Sequence, residues 1–171
     1  MPAPRRRRPA TEAEAAALAS DIRMRIIRLT YRRPLTNKEL ALRLDKDPAT
    51  TLYHVRRLLG AGFLEELTPR RGTRGAREKP YRATGTQLAL DFRAAASGSA
   101  VNEAAFGAFL AEVAAFGVSA LEQRRVVLQL PAEQRAELMD RIDAVLEDFR
   151  GRPSGSDGDR FAIYLASYDG N

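Results

Sequence analysis

Three helix-start signals lie close together near the beginning of the sequence, and they limit the available folds more than any other feature. Thr11 and Thr36 are each followed three residues later by a glutamate, which is the capping-box pattern. Asp47 precedes Pro48, an order that suits an N-cap and the first helical position. Because each start requires the preceding helix to have ended, we expect three short helices here rather than one long helix.

Apolar spacing predicts the extent of these helices. We expect a first helix over residues 11–31, a second over residues 36–44 and a third over residues 48–59. At about 100° per residue, the inward face of the third helix should consist of Thr51, Leu52, Val55, Leu58 and Leu59. Its opposite face should present small, hydroxyl and guanidinium groups to solvent, from Ala49, Thr50, Tyr53 and Arg57.

A β-hairpin is predicted directly after the third helix, which Gly60 and Gly62 end. Residues 63–67 suit one strand and residues 79–84 the returning strand. The loop that joins them is dense in arginine and contains Arg70, Arg71, Arg74 and Arg77. Three helices followed by a hairpin with a charged tip predict a winged helix-turn-helix domain over residues 11–93. The fold class expected is α+β, mainly α with a small β-wing.

The segments that flank this domain are predicted from composition. Residues 1–10 are rich in Pro and Arg and have no apolar periodicity, so they should form a disordered basic arm. Apolar and polar residues alternate over residues 88–92, which favours a further strand. Residues 94–100 are rich in Ala, Ser and Gly, and we expect a domain boundary there.

Residues 100–171 should form a C-terminal helical region. Apolar residues at three- and four-residue steps predict one amphipathic helix over residues 102–130 and, after Pro131, another over residues 132–150. Alternation over residues 161–165 predicts a last strand.

The apolar stripes of this C-terminal region exceed what a small winged domain needs, which indicates dimer contacts, a small-molecule pocket or both. Aromatic residues at helical spacing also suit an ordinary core, so the alternatives stay open. The candidate side chains are Phe106, Phe109, Phe116 and Phe149.

Charge is unevenly distributed along the chain. Residues 1–99 hold 21 Lys and Arg against 10 Asp and Glu, a formal net charge of +11. Residues 100–171 hold 7 against 12, a formal net charge of −5. A basic half joined to a mildly acidic half indicates that the first half meets a polyanion.

The residues that the sequence lacks exclude several classes of function. The chain has no cysteine and one histidine, so disulfides, thiolate metal sites and paired-histidine metal sites cannot form within one chain. No catalytic or dinucleotide-binding motif is present, so we expect neither an enzyme nor a cofactor. Because no apolar stretch would span a membrane and no signal peptide is evident, we expect a cytoplasmic protein without membrane contact.

The order of helices and hairpin suits recognition of double-stranded DNA, because a helix about 10 to 12 Å across fits the major groove. On the third helix, Thr50, Tyr53 and Arg57 can contact bases or phosphates. The arginines of the hairpin loop suit phosphates or the minor groove. Further candidate contacts are Lys46, Ala49 and His54. A structural or phosphate-contacting role suits this histidine better than a pH switch does.

The sequence resembles the ArsR-type winged helix-turn-helix family of bacterial regulators. The resemblance lies in the pattern over residues 21–29, the step LTNKELA, the recognition-helix pattern ATTLYHVRRL and the exit GFLE into the hairpin. It implies a homodimer that places two recognition helices in successive major grooves of a near-palindromic operator, and a helix histidine at the position of His54 is common there. Many members sense metals through Cys and His ligands, which this sequence lacks, so metal sensing is not carried over.

We therefore expect a homodimeric, sequence-specific regulator of transcription, with repression favoured and control by a small-molecule effector left open. A winged helix can also serve as a protein-contact module or as a non-specific architectural DNA-binding module. The polar outer face of the third helix and the arginine-rich loop favour DNA over protein.

Overall fold

The computed structural model describes residues 7–31, 33–71, 77–152 and 162–168. The chain divides into two compact units, Arg7–Ser119 and a second unit whose described part begins at Ala120. The first unit combines helices with small sheets, and the second contains a long helix. The α+β fold class expected from the sequence is confirmed.

The helices of the first unit are α1 (Glu12–Leu18), α2 (Asp21–Thr30), α3 (Asn37–Leu44), α4 (Pro48–Gly60) and α5 (Gly98–Phe116). Its strands are β1 (Arg8–Pro9), β2 (Leu35–Thr36), β3 (Leu64–Glu66), β4 (Arg70–Arg71), β5 (Arg77–Glu78), β6 (Pro80–Ala83) and β7 (Leu90–Asp91). Short 3-10 helices span Thr86–Ala89 and Val118–Ala120, and α6 (Ala132–Gly151) lies in the second unit.

A break divides the first predicted helix in two, which corrects the continuous helix expected over residues 11–31. Thr11 and Glu14 form the predicted capping box at the start of α1. The break lies at Ser20, whose φ of −163° and ψ of 124° are those of extended backbone. The guanidinium of Arg23 donates hydrogen bonds to carbonyl groups at the end of α1. These carbonyls therefore have a side-chain donor in place of a further helical turn.

Side-chain caps set the starts of α3 and α4, as the sequence predicts. Thr36 and Glu39 form the second capping box. Asp47 accepts hydrogen bonds from two backbone N–H groups in the first turn of α4. The side-chain amide of Asn37 donates to the carbonyl of Pro48 over 2.8 Å. This bond ties the beginnings of the two helices together and helps to fix the angle between them.

The predicted hairpin is confirmed, with strands shorter than residues 63–67 and 79–84. It belongs to an antiparallel sheet in the order β2, β6, β3. Leu64 pairs with Ala83 and Leu35 with Tyr81, and all four side chains are buried. Farther along the hairpin, β4 and β5 pair with each other.

The core of the first unit gathers apolar side chains from the helices and the sheet. Its largest fully buried apolar side chains are Leu18, Ile26, Leu40, Val55, Leu58 and Phe63. Thr51 of α4 is also buried, and its hydroxyl donates to the carbonyl of Asp47 over 3.0 Å. A buried hydroxyl with a hydrogen-bond partner adds no unsatisfied polar group to the core.

The helix α5 packs against α1 and α2 and extends the first unit beyond the boundary predicted at residues 94–100. Its buried side chains are Val101, Ala104 and Ala108. Small side chains at a helix contact allow the two axes to approach closely. Arg28 of α2 and Glu112 of α5 form an ion pair across this contact. The Ala-, Ser- and Gly-rich segment therefore forms a turn within the unit.

A short turn of helix replaces most of the strand predicted over residues 88–92. Thr86–Ala89 forms a 3-10 helix, and only Leu90–Asp91 is a strand. Gly85 begins this turn with a φ of 80°, a left-handed conformation that glycine adopts without steric cost. Leu88 is exposed here, so the alternation of apolar residues does not mark one continuous strand.

The base of the N-terminal arm is ordered. The strand β1 pairs in parallel with β7, and the N–H of Ala10 donates to the carbonyl of Asp91 over 2.8 Å. Arg8–Pro9 therefore differs from the disorder predicted for residues 1–10. The first six of those residues lie outside the described part of the chain.

The second unit contains α6 as predicted, but the helix expected over residues 102–130 ends early. The helix α5 stops before Gly117, whose φ of 86° and ψ of 142° do not continue a helix. Residues 121–130 and 162–168 contain neither helix nor strand, which corrects the predicted last strand, although Phe161 lies outside the described residues. Within the described ranges, no helix is both long enough and apolar enough to cross a membrane.

Candidate nucleic-acid interface

The two faces of α4 differ sharply in exposure. The buried face holds Thr51, Val55 and Leu58. The exposed face holds Ala49, Thr50, Tyr53 and Arg57. The exposed fraction of Tyr53 is 58%. The separation of faces predicted from helical spacing is confirmed, although Leu52 and Leu59 of the predicted inward face are only partly buried. The outward face is open to another molecule.

The start of α4 is closed by its own cap. The carboxylate of Asp47 accepts hydrogen bonds from the N–H groups of Ala49 at 2.8 Å and Thr50 at 3.2 Å. These N–H groups are therefore not free for an anion, and contacts with phosphate must come from side chains. Lys46 is exposed in the turn before the cap, where Asp45 adopts a φ of 52°. Lys46 is therefore an accessible cation directly before α4.

His54 lies at the edge between the two faces of α4. Its ring is partly buried, and its Nδ1 lies 3.4 Å from Nη1 of Arg23 on α2. The ring of Tyr53 meets it edge-on, with 5.3 Å between the centroids. Burial lowers the pKa of His54, the positive charge of Arg23 lowers it further, and Asp21 partly opposes them. The imidazole is therefore neutral near pH 7.

The basic residues of the wing are not equally available. Arg70 donates to the carboxylate of Glu39 over 3.0 Å, which ties the wing to the start of α3. Arg71 and Arg77 are cross-strand partners, and both are exposed. Arg74 lies outside the described residues. Arg70 is exposed as well, but its guanidinium is held by Glu39, so Arg71 and Arg77 are the better placed of these three for phosphate.

The carboxylate of Glu39 has two roles: it belongs to the capping box of α3, and it binds Arg70 of the wing. Arg33 also approaches its carboxylate, at 3.9 Å. Burial raises the pKa of Glu39, but hydrogen bonds from Thr36 and the charges of Arg70 and Arg33 outweigh burial, so the pKa is lowered. The carboxylate therefore stays ionised at neutral pH and keeps both of its roles.

Sequence reasoning did not place Arg23 or Glu39 in the site. Glu39 was recognised only as part of a capping box. The signal for Arg23 is Ser20 followed by Asp21, a second N-cap pattern within the first predicted helix. That pattern would have indicated the break before α2 and placed Arg23 in its first turn.

The four aromatic candidates for a dimer core or an effector pocket are divided between the two units. Phe106, Phe109 and Phe116 lie on α5 in the first unit, whereas Phe149 lies on α6 in the second. The exposed fraction is 49% for Phe106, 73% for Phe116 and 62% for Phe149. Side chains this exposed suit contact with another molecule better than they suit an ordinary core.

A family model described as a helix-turn-helix domain matches residues 18–66. The matched segment contains α2, β2, α3, α4 and β3. The fold is a winged helix-turn-helix. The match supports a DNA-binding transcription regulator, and it covers the part of the chain in which the outward face of α4 is formed.

The chain also has similarity to solved structures. The chain is similar to a mutant of ZitR from Lactococcus lactis, with 16% identity, 75% of this chain and 73% of that chain covered, and a TM-score of 0.35. It is also similar to a mutant of S. aureus MepR bound to an oligodeoxyribonucleotide, with 16% identity, 80% of this chain and 78% of that chain covered, and a TM-score of 0.32. No curated protein matches the sequence.

Proposed function

We propose that this chain is a sequence-specific regulator of transcription, with repression favoured, that inserts α4 into the major groove of double-stranded DNA. The observation that carries the proposal is the outward face of α4, where small, hydroxyl and guanidinium side chains are exposed on a helix whose other face is buried. The net charge of +11 over residues 1–99 supports it, because a duplex carries one negative charge about every 1.7 Å along its axis. The resemblance to ArsR-type regulators also supports it, without their metal sensing.

Each exposed side chain of α4 has a contact that its chemistry favours. Arg57 can pair with the two acceptors of guanine, and Thr50 can bond to a base edge or to a phosphate. Tyr53 can donate its hydroxyl to a phosphate oxygen, and Lys46 can approach one from the turn before the helix. Ala49 leaves room for close approach of a thymine methyl group.

The wing adds contacts outside the major groove. Arg71, Arg77 and, from the sequence, Arg74 can neutralise phosphates or enter the minor groove. Each phosphate neutralised makes the log-log salt dependence of binding steeper by about 0.9. Arg70 supports these contacts differently, because its bond to Glu39 holds the wing in position.

The apolar stripe of α6 supports a homodimer, which a near-palindromic operator requires. Leu138, Ile142, Val145 and Phe149 follow one another at steps of four, three and four, the spacing of a coiled-coil seam. Val145 and Phe149 are exposed, Leu138 and Ile142 are only partly buried, and no side chain of α6 is fully buried against the described part of the chain. The same stripe on α6 of a second copy could pack against it.

An antiparallel pair of α6 helices centred between Ile142 and Val145 would match charge as well as shape. Ile142 would meet the partner's Val145, and Arg141 would meet the partner's Asp148, with both contacts repeated by symmetry. Within one chain, Arg141 and Asp148 each pair one turn away on the exposed surface. Exposed pairs of this kind contribute about 0.3–0.5 kcal/mol, so they can exchange partners at little cost.

A gel-shift titration against genomic fragments at two salt concentrations tests the function. A few fragments that survive the higher salt would support a sequence-specific regulator. Uniform loss of binding would indicate an architectural DNA-binding module instead, and no binding at either salt would indicate a protein-contact module. A small molecule that copurifies with the chain, detected by native mass spectrometry, would support control by an effector.

The variant Arg57→Ala tests the major-groove assignment. If Arg57 pairs with guanine, the variant should lose about 1–3 kcal/mol of operator binding and discriminate less at one base pair. Arg124→Ala removes the same charge from an exposed position in the second unit and should bind like the parent. Equal weakening on every sequence would show that Arg57 contacts only phosphate.

A further inference from the structure

Arg23 joins three parts of the first unit through one side chain. Its Nε donates to the carbonyl of Ala17 over 2.5 Å, and its Nη2 donates to the carbonyls of Ala16 at 3.1 Å and Ala19 at 3.5 Å. Its Nη1 lies 3.4 Å from Nδ1 of His54. The guanidinium of an α2 residue therefore closes the end of α1 and contacts the edge of α4.

The contact with Arg23 determines which ring nitrogen of His54 carries the proton. A guanidinium has only donors, so Nδ1 can share this hydrogen bond only as an unprotonated acceptor. The remaining ring proton must then lie on Nε2. Burial of the ring and the positive charge of Arg23 both favour the neutral form, and Asp21 is the opposing charge.

We propose that Arg23 is a positioning residue that holds His54 as the Nε2–H tautomer, so that Nε2 donates a hydrogen bond to a DNA phosphate. This inference rests on the proposed function, because it needs α4 to lie against DNA. His54 follows Tyr53, whose side chain is exposed on the outward face. A donor fixed in advance binds an anionic oxygen without a change of tautomer on binding.

The tautomer can be measured without DNA. The chain contains one histidine, so all imidazole signals in a nitrogen-15 spectrum of the full-length protein come from His54. Above its pKa, the parent should show protonated Nε2 and unprotonated Nδ1. Arg23→Met removes every donor and should give a mixture of tautomers, with a His54 pKa closer to its ordinary value of about 6.5. Arg25→Met, on the same helix, is the control and should keep the parent spectrum.

A double-mutant cycle on DNA separates positioning from a general effect on folding. The amide of His54→Gln can donate from a place close to that of Nε2, and it needs no tautomer to do so. Arg23→Met should therefore weaken binding in the parent by the factor by which it lowers the population of the Nε2–H tautomer, about twofold for an equal mixture. It should have little effect in the His54→Gln background. A purely structural role for Arg23 would cost the same in both backgrounds.

The outcomes distinguish this proposal from the proposed function. A parent spectrum with protonated Nδ1, or a tautomer ratio unchanged in Arg23→Met, would overturn the role of Arg23 whether or not the chain binds DNA. A parent that shows the expected tautomer but binds no duplex would overturn the proposed function and the phosphate contact together. If Arg23→Met does not fold, Arg23→Lys supplies the test, because it keeps the charge and a donor and should preserve the tautomer better than Arg23→Gln.

Discussion

The two units of the chain differ in how much of their apolar surface they bury. In the first unit, Phe63, Leu18 and Ile26 are fully buried, and α1 to α5 enclose a shared core. In the second unit, α6 has no buried side chain, and Val145 and Phe149 are exposed. Both units have regular apolar spacing in their sequences, so spacing alone does not distinguish a core from a surface.

This difference shows where each unit obtains its stability. Isolated helices are marginal in water, and most helical stability in proteins comes from the packing of an apolar face. The first unit supplies that packing from its own chain. The stripe of α6 obtains little from the described chain, so we expect it to gain stability from a partner. Truncating one phenylalanine in each unit to alanine tests this difference in burial most directly.

Phe63→Ala should have the largest effect. Removing a fully buried phenylalanine leaves a cavity and should lower the free energy of unfolding by about 3–5 kcal/mol, measured by urea denaturation. Phe149→Ala makes the same chemical change on the exposed face of α6. At a protein concentration where the chain is monomeric, it should change stability by less than about 0.5 kcal/mol. Equal losses in the two variants would show that both units bury comparable cores.

Charge reversal on α6 should have an intermediate effect, on association rather than folding. Arg141→Asp places like charges opposite the partner's Asp148 at two symmetric positions, and it should weaken the dimer about tenfold in sedimentation equilibrium. Asp148→Arg should do the same. The double variant restores opposite charges and should recover the parent affinity. Failure of that recovery would exclude the antiparallel register.

Loss of the Glu14 carboxylate should have the smallest effect, which should be largest above about pH 4.5 and should vanish in strong acid. A hydrogen bond from Arg8, followed by the N–H of Thr11, lowers the pKa of Glu14 to about 2. Because the folded-state pKa lies below the ordinary value of 4.5, this carboxylate stabilises the fold above about pH 4.5. Its contribution is lost as the pH falls from there towards about 2.

Glu14→Gln should therefore reduce the difference in stability between about pH 6 and pH 3, by less than about 1 kcal/mol because the pair is on the surface. Urea unfolding of the parent and of Glu14→Gln at the two pH values measures this effect. Glu103→Gln, at an exposed position of α5, is the control. A pH dependence identical in parent and Glu14→Gln would show that the ionised Glu14 carboxylate contributes nothing to stability at neutral pH.

Local signals account for what was predicted well. The starts of α3 and α4 follow from Thr36 with Glu39 and from Asp47 with Pro48, because a cap acts within one turn of backbone. The faces of α4 follow from its spacing. Apolar spacing gave wrong predictions over residues 88–92 and 102–130. Gly85 precedes the first of these segments and Gly117 lies within the second, and both have positive φ. Spacing of apolar residues carries no information about such backbone conformations.

The sequence by itself determined the capped helices, the two faces of α4 and the cationic hairpin, since each depends on residues a few positions apart. Only the tertiary structure decided that Arg23 meets His54, that Arg70 holds Glu39, and that α5 belongs to the first unit. The two side-chain pairs join residues 31 positions apart. Folding of the chain brings such residues together, and no local pattern in the sequence encodes their contact.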